Sequence, residues 1–328
     1  LREMASYRFY LYDSLGRTVV QGLCSGCNRS EEVNIAEYQE NVDGICNTGY
    51  NIPLSDKITN PNLETVNYYD GYSFLQKYSA ELGNLASDFQ VGGSRAQGLQ
   101  TGKVQITSDG GKVIDAFFYD GKGQVVDSRR LHSGKRLTCI HTDYSYTGKP
   151  TRIVTDEYSL NSGNKSLVVS QIQENTYSKK TDRLLSSTLS VNGKKETVQQ
   201  LEYDELGRLK DAVYGERENL SDKVNRYNEK VIEYTANGAI KRFQRRGLKD
   251  DGEYGKIDNL NIKLNGNQLL SVTDDALPAN KYSSFSFIDG ANEEKEYEYN
   301  GVGALTKDLN RGLKIKYDNL NSQFFIKN

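Results

Sequence analysis

Two histidines, His132 and His141, are the residues best suited to acid–base chemistry at neutral pH. His141 lies two residues before Asp143. With Ser133 or Ser145 as the nucleophile, this pair would form a Ser–His–Asp hydrolase. Such a triad is recognised by its geometry, and the nucleophile motif Gly-x-Ser-x-Gly is absent from the sequence. We favour the simpler interpretation, in which the histidines are polar residues on adjacent strands.

Carboxylates are clustered at residues 249–258, 272–276 and 292–298. Two carboxyl groups across a groove would suit a glycosidase, and Asp at alternating positions before a Gly would bind calcium. The first cluster lacks the alternating Asp, which excludes an EF-hand and leaves an irregular calcium site as the alternative. We interpret all three clusters as solvated acids of loops and turns, which also keep strand edges from pairing with other chains.

The four cysteines are Cys24, Cys27, Cys46 and Cys139. The CSGC spacing fits a zinc site or a redox pair, but a four-cysteine zinc site needs a second close pair. A redox pair is expected at a strand-to-helix junction, whereas this one follows a strand in a Gly-, Ser- and Asn-rich loop. We expect a disulfide among Cys24, Cys27 and Cys46, with free thiols and a bound metal as alternatives. No motif predicts a cofactor.

One basic run, KRFQRRG at residues 241–247, contains an aromatic residue. It would suit an anionic glycan or a phosphate. However, its alternation is also that of a strand with two solvated faces, which we favour. The glycines at 121–123 and 301–303 are interpreted as hairpin glycines, because no Lys-Ser/Thr and helix follow as in a phosphate-binding loop.

Composition indicates a thin apolar core. Hydrophobic residues make up 36% of the 328 residues, and they include 23 Tyr and no Trp. Tyrosine suits a sheet in which ring faces are buried while hydroxyls stay polar. The net charge of -2 excludes the electrostatic signature of a nucleic-acid partner, and no apolar run approaches the ~20 residues of a membrane span. The start at Leu1 leads us to expect a piece of a longer protein.

A short motif returns along the chain: Tyr, often Asp, two variable residues, then Gly. Tyr ends a strand, the next polar side chain bonds a backbone N–H two residues on, and Gly takes a positive φ before the chain turns back. Period-two alternation before the Tyr, as in KVIEY at 230–234, predicts half-buried strands. The repeat positions are Tyr12, Asp13, Gly16, Arg17, Tyr119, Asp120, Gly123, Tyr144, Gly148, Tyr203, Asp204, Gly207, Arg208, Tyr234, Gly238, Tyr299, Gly303, Tyr317 and Asp318.

These patterns predict a mainly β protein of repeated antiparallel hairpins that form a curved, elongated sheet or partial shell with one short helix. We divide the chain into a first hairpin at 1–27, an irregular insertion at 28–102 and a hairpin array at 103–328. Within the insertion, apolar residues at three- and four-residue steps predict a helix near 73–89, starting after a possible Ser73 cap.

The hexamers YDSLGR at 12, YDGKGQ at 119 and YDELGR at 203 resemble the YD repeats of Rhs-type proteins, teneurins and the shell subunits of insecticidal toxin complexes. Longer stretches, among them VNYYDGYSFL at 66 and EYEYNGVGALTKDLNRGLKIKYDNLN at 296, look like the Rhs-repeat proteins of gut Bacteroidetes. The resemblance implies a secreted or surface-associated β-shell around a hollow interior, often with a variable C-terminal effector. The sequence ends before the self-cleaving core region that follows the repeats in that family.

From these observations we expect a non-enzymatic structural module of such a shell, which encloses or presents an effector outside this chain. Its expected partners are the remaining repeats and the effector, and its expected location is extracellular or at the cell surface. The alternative is a surface binding module whose exposed tyrosines recognise a carbohydrate or a cell-surface protein.

Overall fold

The computed structural model describes residues 7–27, 35–51, 58–90, 95–161, 164–217, 226–277, 286–318, 320 and 322–327. It confirms a mainly β protein built from antiparallel strands, with a single short α-helix. Sixteen strands belong to one antiparallel sheet. None of the helices in the described part of the chain is long and apolar enough to cross a membrane.

The strands up to residue 177 are β1 (Tyr7–Tyr12), β2 (Thr18–Cys24), β3 (Gly26–Cys27), β4 (Glu37–Tyr38), β5 (Tyr50–Asn51), β6 (Ile58–Thr59), β7 (Asn62–Tyr69), β8 (Gln100–Ile106), β9 (Lys112–Tyr119), β10 (Val125–His132), β11 (Arg136–Tyr144), β12 (Pro150–Asn161) and β13 (Asn164–Tyr177). The later strands are β14 (Leu184–Val191), β15 (Lys194–Tyr203), β16 (Leu209–Glu216), β17 (Glu229–Tyr234), β18 (Ile240–Leu248), β19 (Tyr254–Asn265), β20 (Gln268–Asp274), β21 (Tyr297–Tyr299), β22 (Leu305–Asp308), β23 (Leu313–Tyr317) and β24 (Gln323–Lys327).

Strand order in the large sheet follows chain order, from β1 and β2 through β7 and onward to β20. The strands β21 to β24 form a separate four-stranded sheet, and β3–β6 and β4–β5 are small two-stranded pairs. The predicted irregular insertion at 28–102 therefore contains β7, which pairs with β2 on one side and β8 on the other. The physical reason is that Val66 and Tyr68 alternate with more exposed residues, as in a half-buried strand, while a register shift in the pairing with β2 lets Leu63 be buried as well.

Internal contacts divide the chain into two compact units. The first comprises residues 1–174 and 191–193, and the second comprises 175–190 and 194–328. This division falls within the predicted hairpin array at 103–328 rather than at its start. Each unit consists mainly of hairpins paired edge to edge, since antiparallel strands need only short connections.

The predicted helix near 73–89 is a helical segment of three short pieces. Ser73–Tyr78 and Gly83–Phe89 are 3₁₀ helices, and α1 (Ser79–Leu82) lies between them. Gly83 explains the break in part, because its φ of 49° and ψ of -126° end α1. The predicted Ser73 cap is wrong: Tyr72 occupies the cap position and makes no capping hydrogen bond with its side chain, and Ser73 Oγ donates to Tyr38 Oη at 3.4 Å.

The core of the first unit lies between this helical segment and the sheet. Phe74, Tyr78, Leu82, Leu85 and Phe89 are all buried, as the sequence spacing predicts, and they belong to one cluster with buried sheet residues. Those sheet residues are Leu11, Val19, Val20, Val66, Val104, Ile114, Phe118, Leu131 and Leu137. In the described part of the second unit, the buried apolar side chains are Val231, Ile257, Val272 and Tyr297. The core is therefore concentrated where a second layer covers the sheet.

Gly102 illustrates how closely the two layers approach. Its strand β8 passes under the Phe74 ring, so that a Cβ on Gly102 would lie 2.1 Å from Phe74 Cζ. The ring cannot move away easily, because it stacks on Tyr68 with centroids 4.3 Å apart. Tyr68 is fixed in turn by its hydroxyl, which donates to Thr48 O at 2.9 Å and lies 2.7 Å from Tyr78 Oη.

We expect Gly102→Ala to destabilise the protein by about 1–3 kcal/mol, the usual cost of overpacking a rigid core. Gly71→Ala is the matched control, since Gly71 has open space around its Cβ position. Denaturant unfolding of both variants measures the difference. Equal unfolding midpoints would show that the Phe74 layer yields to an added methyl group.

Candidate functional site

The predicted repeat residues lie at one recurring five-residue turn. In the turn after β15, Asp204 N donates to Arg208 O at 2.9 Å, and Gly207 N donates to Asp204 O at 2.8 Å. The Asp204 carboxylate accepts from Arg208 N at 2.8 Å, which lowers the pKa of Asp204. The same pair of backbone bonds recurs in the turns that begin at Asp13, Asp120, Ser145, Thr235 and Asn300. The turn after Tyr317 repeats the first of them, from Asp318 N to Ser322 O.

The glycine of each turn adopts the left-handed conformation. Its φ lies between 76° and 87° in all six predicted repeats, which are those with Gly16, Gly123, Gly148, Gly207, Gly238 and Gly303. A side chain in this conformation is strained, so the backbone requires Gly here. The same turn also occurs at Thr107–Gly111 and Lys249–Glu253, where no Tyr precedes it. A search for Tyr with Gly four residues later therefore misses these two turns.

The hydroxyl of each predicted repeat tyrosine other than Tyr12 reaches back to the preceding hairpin. Tyr144 Oη donates to Val125 O at 2.9 Å, and Val125 is the first residue of β10. Likewise Tyr203 Oη donates to Leu184 O at 2.8 Å, at the first residue of β14. The other members of this set are Tyr119 to Gln100 O, Tyr234 to Leu209 O, Tyr299 to Leu269 O at 3.2 Å and Tyr317 to Leu305 O at 2.7 Å. We call these contacts the tyrosine bonds.

In the two repeats with Arg after the turn glycine, the arginine side chain reaches forward to the next hairpin. The guanidinium of Arg17 lies 4.2 Å above the Tyr69 ring, and that of Arg208 lies 4.3 Å above the Tyr234 ring. Both are cation–π contacts, worth about 0.5–1 kcal/mol at exposed sites. Arg17 also pairs with Asp13 at 2.6 Å and with Asp70 at 2.8 Å. The hydrogen bond from Arg17 lowers the pKa of Asp70. Neighbouring hairpins are thus joined by contacts in both chain directions.

Tyr69 and Asp70 make the same contacts as the repeat residues, but the spacing from Tyr to Gly does not identify them in the sequence. Tyr69 Oη donates to Thr18 O at 3.4 Å, which is the tyrosine bond of this hairpin, and Thr18 is the first residue of β2. The available signal was the dipeptide Tyr-Asp itself, because no Gly lies four residues after Tyr69. Asp70 Oδ1 instead accepts from Gly98 N, which lies far along the chain.

Tyr12 differs from the other repeat tyrosines. It ends β1, which forms the edge of the large sheet, and its side chain is exposed. Within the described residues, no carbonyl accepts a bond from its hydroxyl, whereas its backbone carbonyl accepts from Ala36 N at 2.8 Å. Tyr7 and Tyr10 on the same strand are exposed as well.

The two histidines lie at opposite ends of the β10–β11 hairpin. His132 is opposite Arg136 beside the turn, whereas His141 is opposite Asp127. His141 Nδ1 lies 3.2 Å from Asp127 Oδ1 and Nε2 lies 3.2 Å from Asp143 Oδ1. Among the described contacts, neither predicted serine bonds His141. Ser145 Oγ instead accepts from Lys149 N at 3.0 Å, and Ser133 lies in a tight turn with a φ of 44°.

A polar cleft of about 330 Å³ opens beside His141 in the first unit. Arg129, Cys139 and Asp156 lie opposite one another on β10, β11 and β12, and Lys165 pairs with Asp88 of the helical segment. Burial raises the pKa of the Cys139 thiol. A thiol that resists ionisation is a poor nucleophile, so the cleft has the residue types of a Cys–His site without an activated thiolate.

The cysteines divide into bonded and free. Cys24 is disulfide-bonded, whereas Cys46 and Cys139 are free thiols. The expected disulfide therefore does not include Cys46. The side chain of Cys27 lies outside the described residues. No group of three His, Cys, Asp or Glu side chains in the described part of the chain is placed to share a metal ion.

The interpretation of the acidic clusters as solvated is wrong for two of their members. Asp258 and Glu296 are fully buried. Asp258 accepts from Arg245 Nε at 2.6 Å and from Phe287 N at 2.6 Å. Glu296 Oε2 accepts from Val272 N at 2.9 Å and from Asn310 Nδ2 at 2.8 Å, and its Oε1 has no described partner. These carboxylates connect backbone groups from separate segments, which sequence clustering alone does not reveal.

Comparison with known proteins gives structural similarity only. No family model and no curated protein matches the chain. Among solved structures, a TcdB2-TccC3-Cdc42 crystal structure is similar with a TM-score of 0.35 and 10% identity, over 98% of this chain and 17% of that one. The Tc holotoxin pore of Photorhabdus luminescens gives a TM-score of 0.33 and 9% identity, over 98% of this chain and 18% of that one.

A crystal structure of TcdB2-TccC3 gives a TM-score of 0.23 and 9% identity, over 98% of this chain and 25% of that one. The chain thus spans between 17% and 25% of the length of these structures.

Tyr203→Phe removes the hydroxyl of one tyrosine bond and keeps the ring. We expect a loss of about 0.5–1.5 kcal/mol in the free energy of unfolding, since Leu184 O loses a donor in a half-buried position. Tyr146→Phe is the control, because Tyr146 is 92% exposed. Thermal unfolding of the two variants is the measurement, and equal melting temperatures would contradict a stabilising role for the tyrosine bond.

Gly207→Val places a β-branched side chain at a φ of 78°. We expect its melting temperature to fall below that of Gly121→Val, because Gly121 has ordinary backbone geometry and open space around it. The left-handed conformation should cost about 1–2 kcal/mol. Equal melting temperatures of the two variants would show that the turn relaxes out of the positive φ.

Proposed function

We propose that this chain is a non-enzymatic structural module, a segment of wall in a secreted or surface protein of the YD-repeat type. The observation that carries the proposal is the set of tyrosine bonds, in which each repeat hairpin uses its signature residue to hold the hairpin before it. Because the repeat tyrosine is used for contact between adjacent hairpins, its role is to build the wall.

The repeat hexamers support the assignment to the Rhs type, because in YDELGR at 203 each of the four motif residues has a contact within the turn or with a neighbouring hairpin. Asp13 and Asp204 shape the turn, and Arg17 and Arg208 join the turn to the next hairpin. In the natural protein, such a wall would enclose or present an effector that lies outside this chain. The more specific resemblance to the proteins of gut Bacteroidetes belongs to the same proposal.

The hydrogen-bond partners of the buried and clustered titratable side chains support the assignment as a non-enzymatic protein. The buried carboxylate of Asp258 is engaged by an arginine and a backbone N–H, and the Cys139 thiol has a raised pKa. His141 lies between two carboxylates without a serine nucleophile at hydrogen-bond distance among the described contacts. A catalytic acid–base pair needs a nucleophile or substrate proton within hydrogen-bond reach, and the described contacts of His141 and Asp258 are with arginine, carboxylate and backbone groups instead.

The edge strand β1 gives the proposal its test. If the chain is a segment of a longer wall, a further strand should pair with β1 in the natural full-length protein, and its carbonyl should accept the Tyr12 hydroxyl. Electron cryomicroscopy of the full-length protein is the measurement. We expect a strand against β1 and an enclosed volume bounded by the repeats. A β1 edge exposed to solvent, or a wall that encloses nothing, would contradict the proposal.

The alternative is a binding module that uses exposed tyrosines, and few tyrosines are available for it. Most repeat tyrosines contribute their hydroxyls to the wall, so recognition falls to the exposed tyrosines outside this set. Among the described residues these are Tyr7, Tyr10, Tyr146 and Tyr227. Of these four, Tyr227 lines a cavity in the second unit.

A further inference from the structure

The most exposed apolar side chains among the described residues lie at the tips of the repeat turns. Six large apolar side chains are between 73% and 92% exposed. Tyr146 is the second residue of its turn, and four others occupy the middle of a five-residue turn: Leu15, Leu206, Val302 and Leu320. The sixth is Leu277, in the connection after β20. The middle turn position is therefore apolar in four repeats, although burial within the chain does not require it.

The tyrosine bonds place the turns of the second unit side by side. Tyr234, Tyr299 and Tyr317 each donate to a carbonyl at the start of the return strand that follows the preceding turn. The turns therefore follow one another along one edge, in the order 204–208, 235–239, 266–267, 300–304 and 318–322. Because neighbouring strands lie about 4.8 Å apart, the tips of adjacent hairpins are roughly 10 Å apart. We call Leu206, Val302 and Leu320 the tip row.

The turns at the other ends of the strands have polar tips. In the described part of the chain these include Asp109, Ser133, Asn192 and Asp251, and all four are exposed. They lie on the opposite edge, because antiparallel neighbours are connected alternately at one end and at the other. A difference in polarity between the two edges of the same hairpins indicates that the edges face different surroundings.

The turn satisfies the backbone N–H of the residue at its tip. Leu320 N donates to Asp318 Oδ1 at 2.9 Å, and Val302 N donates to Asn300 Oδ1 at 3.2 Å. The corresponding bond of Leu15 N is 3.0 Å long. An N–H group without a partner is strongly disfavoured in lipid. These tips can therefore enter a medium less polar than water without leaving that donor unpaired.

The spacing of the tip row favours a lipid surface over a protein partner. Asn237 and Asn267 lie between Leu206 and Val302, and their side-chain amides bond at 3.2 Å. The apolar tips thus do not form one continuous patch. A stable protein interface buries roughly 800 Å² on each partner, far more than three separate aliphatic side chains supply. Lipids are fluid, so that each side chain is accommodated at the interface independently of the others.

We propose that the tip row binds a lipid surface, with Leu206, Val302 and Leu320 inserted among zwitterionic headgroups while the strands stay in water. Carboxylates begin two of these turns, at Asp204 and Asp318, so attraction to anionic lipids is not expected. This binding goes beyond the role of the chain as a wall segment, and it requires no enclosed effector.

The first unit has a similar pair of tips. The Tyr146 ring is 92% exposed, and Lys122 of the neighbouring turn lies 4.5 Å above it. Tyrosine and lysine each combine an apolar body with a polar end, a property that suits them to membrane–water interfaces. These two side chains are therefore compatible with contact between the same edge and lipid.

The test is sedimentation of the full chain with phosphatidylcholine vesicles, without and with added phosphatidylglycerol. We expect an apparent partition coefficient of about 10³ M⁻¹ or higher for phosphatidylcholine, below the roughly 10⁴ M⁻¹ of a single myristoyl chain. Added phosphatidylglycerol should raise it less than about twofold. Absence of binding to phosphatidylcholine, or binding that appears only with phosphatidylglycerol, would overturn the proposal.

Variants assign the binding to the tip row. The triple variant Leu206→Ser, Val302→Ser, Leu320→Ser should lower the partition coefficient at least about tenfold, because three apolar side chains are removed. Leu277→Ser is the matched control, since Leu277 is 82% exposed and lies beyond the opposite end of β20. It should stay within about twofold of the parent. An equal loss in Leu277→Ser, or unchanged binding of the triple variant, would overturn the assignment to the tip row.

Each variant is compared at a temperature below its own melting transition, so that loss of fold is separated from loss of binding. If the triple variant unfolds, the double variant Val302→Ser, Leu320→Ser takes its place. Analytical ultracentrifugation of the same proteins examines the protein alternative. Self-association of the parent chain that is lost in the triple variant, without vesicle binding by the parent, would overturn the lipid proposal in favour of a second copy.

Discussion

The hydrogen bond from a strand-ending tyrosine to the first carbonyl of the preceding return strand is the constraint on which the repeats depend. A lone two-stranded hairpin is marginal in water. In this chain a hairpin that is followed by a repeat tyrosine receives its hydroxyl, and the rings of Tyr69 and Tyr234 have an arginine above them as well. The motif letters act together, since the Tyr position is useful only if the following turn holds its five-residue geometry.

This constraint explains how a chain with so little apolar material remains ordered. In the first unit, a helical segment covers one sheet face and produces a continuous apolar cluster. In the second unit, fewer apolar side chains are buried among the described residues, and buried polar groups such as Asp258, Ser271 and Glu296 accompany them. The hydrogen bonds that Asp258 and Glu296 accept from backbone N–H groups join segments that hydrophobic contact alone would join weakly.

The sequence was most informative about features that depend on residues close together in the chain. Turn glycines need a positive φ and Asp side chains reach only a few residues, so Tyr203, Asp204 and Gly207 could be predicted together. Helical spacing likewise predicted the buried face from Phe74 to Phe89, although not its division into 3₁₀ and α turns. Long-range partners were not predictable. The burial of Glu296 depends on Val272 and Asn310, and the cavity beside Tyr227 depends on three strands meeting.

The tyrosine bonds all point the same way along the chain, from a hairpin to its predecessor. Where the residue after the turn glycine is Arg17 or Arg208, its side chain contacts the successor. A hairpin with both features presents a donor to its predecessor and an acceptor to its successor. Duplication or deletion of such a hairpin in the gene would keep donor and acceptor matched between the hairpins that remain, so that the number of repeats can change in evolution by recombination.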